Sequence, residues 1–223
     1  MYSSVDRLTE RFAVDEVHTE PLGERYNIAP TTPVYAIRQA EGTRRLGTLR
    51  WGFVAPWADR SRRRPEPINA RLETAADSRL FGPSVASRRC LLPADGFYEW
   101  HRPEGSAPKQ PYLLAPDDGA SIAFAGIWSS WRDRADPDAA PLYSTAILTT
   151  EAQGEITAIH HRMPVILPPA LWEPWLTAEP DEIDHVLTEV RSLPAPGLTA
   201  TPISTRVNNA RNDDPGLLEP LVE

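Results

Sequence analysis

A chain of 223 residues with 41% hydrophobic content and seven tryptophans can bury one full core, and no composition break divides it, so it reads as a single domain over residues 1–223. A net charge of −8 argues against a surface coated in base for duplex DNA. No apolar run has the length of a signal peptide or membrane helix, and the single cysteine, Cys90, permits neither an internal disulfide nor a Cys-x-x-Cys metal site, so a cytoplasmic protein is expected.

Residues 1–14 predict a short amphipathic helix with Ser4 as its cap and Leu8, Phe12 and Val14 as its apolar positions. Residues 18–23 read as a linker, 34–38 as an alternating strand, 41–45 as a turn and 46–53 as a second strand. Gly52 and Pro56 then bend the chain and leave Trp51 and Trp57 near one another. An arginine-rich loop at 59–67 leads into Ile68-Asn-Ala-Arg-Leu-Glu-Thr74, with a helix expected at 75–81. Residues 90–92 form a short apolar strand, Pro-Ala-Asp-Gly at 93–96 a turn, and 97–100 a strand of aromatic residues. A hairpin loop at 105–109 precedes strands at 111–114, 121–128 and 143–149, with the polar stretch 133–140 carrying no element. Thr150 to Gln153 has the form of a capping box opening a helix to about residue 159. His160-His-Arg-Met-Pro164 follows, then a strand at 165–167, helices at 168–176 and 182–187 with Trp172 and Trp175 on the core side, and a last strand at 198–207. Many short strands with few helices predict the α+β class: a curved, partly closed, barrel-like mixed β-sheet with flanking short helices.

Glu99 is the first candidate for chemistry. In an extended segment the period of two puts Phe97 and Glu99 on one face and Tyr98 and Trp100 on the other. A carboxylate beside an aromatic wall has its charged form disfavoured and can exchange a proton near neutral pH. On a solvated face the same residue is an ordinary surface carboxylate. Asn69 and Arg71 project an amide and a guanidinium from one short segment; the pair can hold a phosphate or sugar oxygen, or Asn69 can satisfy backbone groups in a turn. Positive charge is nearly all arginine, since Lys109 is the only lysine, and Arg60, Arg62, Arg63, Arg64, Arg71, Arg88 and Arg89 fall within thirty residues. That is either a local phosphate-binding groove in an acidic protein or a solvated loop. By itself the His160-His161 doublet is compatible with structural histidines, and no other His or Cys lies at ligand spacing, so no metal is expected. Cys90, inside an apolar strand, is expected to be buried and inert.

Four blocks then stand together: Asn-Ala-Arg-x-Glu-Thr at 69–74, Arg-Cys-Leu-x-Pro-Ala-Asp-Gly-Phe-Tyr-Glu-Trp at 89–100, Lys-Gln-Pro-Tyr at 109–112 and His-x-Arg-Met-Pro at 160–164. In this order and spacing the chain resembles the SRAP family, the SOS response-associated peptidase or abasic-site processing proteins. The segments 25–30, Trp51-Gly52, 124–128 and 207–209 also resemble it, so the match covers roughly residues 24 to 215. The resemblance implies binding of single-stranded DNA at abasic sites and a covalent DNA–protein link in the DNA damage response. In that family the α-amine of an N-terminal cysteine makes a Schiff base with the open sugar and the thiol closes it to a thiazolidine. An α-amine, with a pKa of about 8 against about 10.4 for lysine, keeps more neutral nucleophile at pH 7.

At the matching positions Glu99 would shuttle protons, His160 would assist ring opening and Asn69 would position the terminus and the sugar. The spacing selects His160 over His161. Arg71 and Arg162 would hold phosphates, Trp51, Trp57 and Trp100 would stack bases or wedge the strand, and Arg62 and Arg63 would add DNA contacts. The resemblance further implies autopeptidase, hydrolase or lyase-like activity, no cofactor, a monomer, no membrane partner, a nucleoid location when on DNA, and replication-fork proteins as open candidates for partners. The family begins Met-Cys-Gly-Arg followed by an aromatic residue, whereas this chain begins Met1-Tyr2-Ser3-Ser4. The expectation is that the Cys-Gly-Arg block is missing, through a misplaced start or through divergence. As written no thiazolidine can form, and the Met1 amine is expected to give at most a reversible Schiff base with weak lyase action. The competing reading is a single-stranded DNA-binding module without chemistry. A conventional hydrolase or metalloenzyme has no support, because Gly-x-Ser-x-Gly, His-Glu-x-x-His and Gly-rich phosphate loops are all absent from the sequence.

Overall fold

The computed structural model of the chain describes residues 1–61, 65–103, 108–136 and 138–221. Helix α1 (Val5–Arg11) begins where the Ser4 hydroxyl accepts the Arg7 N–H at 3.2 Å, and its Leu8 and the adjoining Phe12 are fully buried. The strands are β1 (Glu16–Val17), β2 (Pro33–Ala40), β3 (Thr43–Trp51), β4 (Asn69–Arg71), β5 (Arg89–Ala94), β6 (Phe97–His101), β7 (Gln110–Ala115), β8 (Ile122–Trp131), β9 (Leu142–Glu151), β10 (Arg162–Pro164) and β11 (Thr199–Pro202). Between them lie helices α2 (Leu72–Ala75), α3 (Gly82–Ser87), α4 (Trp172–Thr177) and α5 (Ile183–Arg191).

Eight strands form one curved mixed sheet in the order β1-β3-β2-β5-β8-β9-β10, with β4 added alongside β9. The sheet curls until β3 meets β9 in a short parallel pairing, Arg50 with Ser144 and Trp51 with Thr145, so it is closed only in part. Strands β11, β7 and β6 make a second, antiparallel sheet. One face of the large sheet carries Ile37, Leu91, Ile127 and Leu148 against α1 and the tryptophans of α4, Trp172 and Trp175, both buried. The other face packs Ala36, Leu49, Cys90, Leu92 and Phe124 inside the curl. Space there is tight: a Cβ on Gly126 would stand 2.7 Å from the Cys90 Sγ, so β8 passes β5 only because this position has no side chain. Cys90 is fully buried, and burial pushes its thiol up to about 12.

Local signals misplaced several boundaries. The turn expected at 41–45 is only Glu41-Gly42, both at positive φ, a two-residue hairpin loop from which Thr43 already pairs with Ala40. Residues 16–17, before the expected linker, are drawn into the sheet as a parallel edge on β3. In place of a helix at 75–81 the chain makes α2, breaks at Ser78, whose hydroxyl accepts from Leu80 N–H, and restarts as α3 with Pro83 in its first turn. Pro93 and Ala94 continue β5, leaving Asp95-Gly96 as the turn. Most of the hairpin loop expected at 105–109 lies outside the described residues. The expected capping box does not form. Thr150 and Glu151 stay in β9, paired with β10, and a 3-10 helix at Gly154–Ala158 follows without a side-chain cap. Lastly, β11 stops at Pro202 and the chain turns into a 3-10 helix, Thr205–Asn208, where a strand to 207 was expected.

Candidate active site

A cavity of about 760 Å³ opens between the two sheets, lined by the end of β3, by β4, β6 and β10, and by the chain start at Met1. Strand β6 supplies its carboxylate. The strand's alternation sends Phe97 edge-on to Phe124, with ring centroids 5.8 Å apart, and Glu99 follows on the same face. The opposite face is anchored: the Tyr98 hydroxyl donates to the Tyr26 carbonyl at 2.7 Å and the Trp100 indole N–H to Asn208 Oδ1 at 2.6 Å. Gly96 lets the turn before β6 sit against β7, since a Cβ there would lie 2.8 Å from the Leu114 carbonyl oxygen.

Glu99 therefore projects from a strand held on its other side. Burial raises its pKa above the usual carboxylate range, and the His160 charge, the Trp100 N–H and Lys109 pull back only in part. His160 approaches from the loop that enters β10, and its Nδ1 lies 3.7 Å from Glu99 Oε1. The same nitrogen sits 2.9 Å from the Arg162 carbonyl oxygen and 3.1 Å from the Arg162 N–H, so its tautomer selects which of these it bonds. His161 is exposed and stacks on it, tilted, at 4.4 Å.

Strand β4 runs parallel to β9, and its alternation buries Ala70 while Asn69 and Arg71 line the cavity. Among the described residues no hydrogen-bonding partner takes the Asn69 amide or the Arg71 guanidinium, so both remain available to a ligand. Met1 also lines the cavity. Its amine donates to the Arg25 carbonyl at 2.6 Å while the Arg25 N–H returns a bond to the Met1 carbonyl at 2.9 Å. Burial lowers the amine below its ordinary pKa, with the Asp95 charge opposing, which enlarges its neutral, nucleophilic fraction at pH 7.

With this constellation in place, the comparison with known proteins is decisive: the family model described as SOS response associated peptidase (SRAP) matches residues 1–210. The chain belongs to the SRAP family. It is 34% identical over 222 residues to the abasic site processing protein YoqW of Bacillus subtilis (strain 168), covering 98% of this chain and 96% of that one. It is also 34% identical over 204 residues to the abasic site processing protein YedK of Escherichia coli (strain K12), covering 91% and 86%. A crystal structure of a protein from Bacteroides thetaiotaomicron shares the fold with a TM-score of 0.80 at 22% identity, over 100% of this chain and 98% of that one.

Within this SRAP fold the predicted site residues divide. Asn69, Arg71, Glu99, His160, Trp51 and Trp100 line one cavity. Arg162 lines it too, but its fork is occupied: both terminal nitrogens bond Glu73 at 2.9 Å and one reaches Thr149 Oγ1 at 3.2 Å. Burial of Glu73 raises its pKa, but its bonds from Arg162, its own backbone and Thr150 outweigh this and hold it low. Trp51 spends its indole N–H on the Ile68 carbonyl at 3.0 Å. Trp57 stands 54% exposed, off the cavity. Arg62 and Arg63 lie outside the described residues.

The arginine cluster seen in the sequence disperses. Arg89 is buried and donates to the carbonyls of Val85, Ala86, Trp175 and Ala178, closing helix ends. Arg60 pairs with Glu66 over the Trp131 ring, and Arg88 lies over Trp128.

Sequence reading overlooked three supports of the site. Asp95 was read as a turn residue but is a buried acceptor for the first residues of the chain. Glu73 holds Arg162. The Asn27 amide donates to the carbonyls of Val207, Asn209 and Asn212 and ties the C-terminal segment to the cavity rim. The blocks around 25–30, 69–74 and 89–100 contained all three residues, so their motif membership was the available signal.

Among the described residues no helix is long and apolar enough to cross a membrane, and no group of three or more His, Cys, Asp or Glu is placed to hold a metal.

Proposed function

We propose that this protein processes abasic sites in single-stranded DNA and that the cavity receives the ring-opened sugar as an aldehyde. One observation carries the reading. An acid/base carboxylate and an imidazole 3.7 Å apart share a cavity with the chain's first residue and with an amide and a guanidinium left open to a ligand. A purely binding surface does not require a desolvated carboxylate, which costs stability but gives an acid/base group a pKa nearer neutrality. The relatives named abasic site processing proteins support the substrate class.

The chemistry follows from the groups present. The neutral Met1 amine attacks C1′ of the aldehyde and forms a carbinolamine; protonated Glu99 then donates to the departing oxygen, which leaves as water, and a C=N bond remains. His160, beside the carboxylate, assists ring opening at the sugar and returns the proton. Asn69 orients the sugar and Arg71 neutralises a neighbouring phosphate. Trp51 and Trp100 offer stacking surfaces for the flanking bases. In the family the amine belongs to a cysteine whose thiol closes the imine into a thiazolidine, whereas an amine without a neighbouring thiol gives only an imine open to hydrolysis.

Incubation with an abasic oligonucleotide, with and without cyanoborohydride, followed by denaturing electrophoresis tests this. The expected result is an adduct only with the reductant for this chain, and an adduct without it for a chain extended at its front by Met-Cys-Gly-Arg. DNA binding with no adduct from either chain would leave a binding module and overturn the covalent reading.

A further inference from the structure

Asp95 is 4% exposed and makes contacts that a turn residue does not need. Its Oδ2 accepts the backbone N–H groups of Tyr2 at 2.7 Å and Ser3 at 2.9 Å, and its Oδ1 accepts the hydroxyls of Ser3 at 2.6 Å and Ser121 at 2.7 Å. Four donors fill the sites of an ionised carboxylate. They come from the chain start and from the residue just before β8. On its other side residue 1 exchanges two backbone bonds with Arg25, so residues 1–3 are gripped on both edges. Asp95 also sits in the turn that launches β6, four positions before Glu99.

We propose that Asp95 is a positioning residue for the covalent step, holding the chain start so that the residue 1 amine and Glu99 are set from one turn. The proposal rests on the abasic-site reading above. Geometry supplies its first part, because a segment bonded to Asp95 at residues 2 and 3 keeps the residue 1 amine beside the Arg25 carbonyl. Charge supplies the second. The Asp95 carboxylate opposes the lowering of the amine's pKa by burial, as Asp213 does more weakly while the Arg25 charge adds to the lowering, and the Asp95 pKa stays low because its hydrogen bonds outweigh the effect of burial. Removing the charge while keeping the contacts therefore lowers the amine's pKa further and moves the pH profile of imine formation to lower pH.

The experiment compares the full chain with Asp95→Ala and Asp95→Asn. It reads cyanoborohydride trapping on abasic single-stranded DNA across a pH series, DNA affinity, and hydrogen exchange at the Tyr2 and Ser3 amides. Asn can accept both N–H bonds through its oxygen and donate to the two serine oxygens, so it preserves the grip without the charge. Asp95→Ala is expected to slow trapping at saturating DNA by about tenfold or more, with affinity unchanged and exchange at residues 2 and 3 accelerated. Asp95→Asn is expected to trap at close to the parent's maximal rate with its profile displaced to lower pH. A folded Asp95→Ala that traps like the parent, or an Asp95→Asn profile superimposable on the parent's, overturns the assignment. Should Asp95→Ala fail to fold, the Asp95→Asn profile decides alone. A parent chain that binds DNA but traps nothing removes the covalent reading itself, and the assignment with it, whereas a trapping parent matched by Asp95→Ala removes only the anchor.

Discussion

Glu99 Oε1 and His160 Nδ1 meet at 3.7 Å across the gap between the two sheets, one carried by β6 and the other by the loop entering β10. Neither sheet by itself contains the pair, so proton exchange at this site depends on the packing of one sheet against the other.

Glu99→Gln should separate chemistry from stability. Trapping of abasic DNA is expected to fall by about 10²-fold or more, with affinity nearly unchanged. The folded-state pKa of Glu99 is raised, so the folded protein binds the proton more tightly and this group's contribution to stability is lost as pH rises through that pKa. The amide escapes this loss. At neutral pH the variant's Tm should therefore rise, on the order of 2 °C, with the difference vanishing below the ordinary carboxylate range. A thermal melt in which Glu99→Gln is less stable at pH 7 would contradict a desolvated carboxylate.

Arg71 and Arg162 should behave differently although both line the cavity. Arg71, without a protein partner among the described residues, is expected to reach phosphate directly, and Arg71→Ala should reduce the salt slope of single-strand affinity by about 0.7 for each phosphate that this guanidinium neutralises. Arg162 is held by Glu73, and Glu73→Gln should release it, raising affinity several-fold at low salt. Anisotropy titrations over a salt series check both; an unchanged affinity on Glu73→Gln would mean that the ion pair does not govern Arg162.

Cys90 should be silent. Fully buried and with its thiol pushed up to about 12, it presents almost no thiolate at neutral pH. An aromatic disulfide reagent is expected to label it only after denaturation. Cys90→Ala is expected to leave trapping of abasic DNA at the parent rate.

Gly126→Ala should test the curl of the large sheet. The new methyl would lie 2.7 Å from the Cys90 Sγ and 2.9 Å from Leu92. Overpacking of this kind costs about 1–3 kcal/mol, which urea unfolding would measure. Pairing it with Cys90→Ala should recover part of the loss, since the sulfur is the nearer obstacle.

Features that depend on backbone period were legible in the amino-acid order alone. Alternation set Glu99 on the Phe97 face of β6 and put Asn69 and Arg71 together on β4, and the apolar run around Cys90 predicted a buried, inert thiol. The motif blocks likewise marked the family, because their spacing is a property of the chain itself. Tertiary structure decided which polar groups consume one another. Arg89 vanished into helix carbonyls, Arg162 was taken by Glu73, Trp57 was left outside the cavity, and a turn aspartate became the clamp on the chain's first residues. The physical reason is desolvation: a buried charge or N–H must find a partner wherever the fold presents one. Only the packing of the helices and of the chain start against the strands brought those partners within reach.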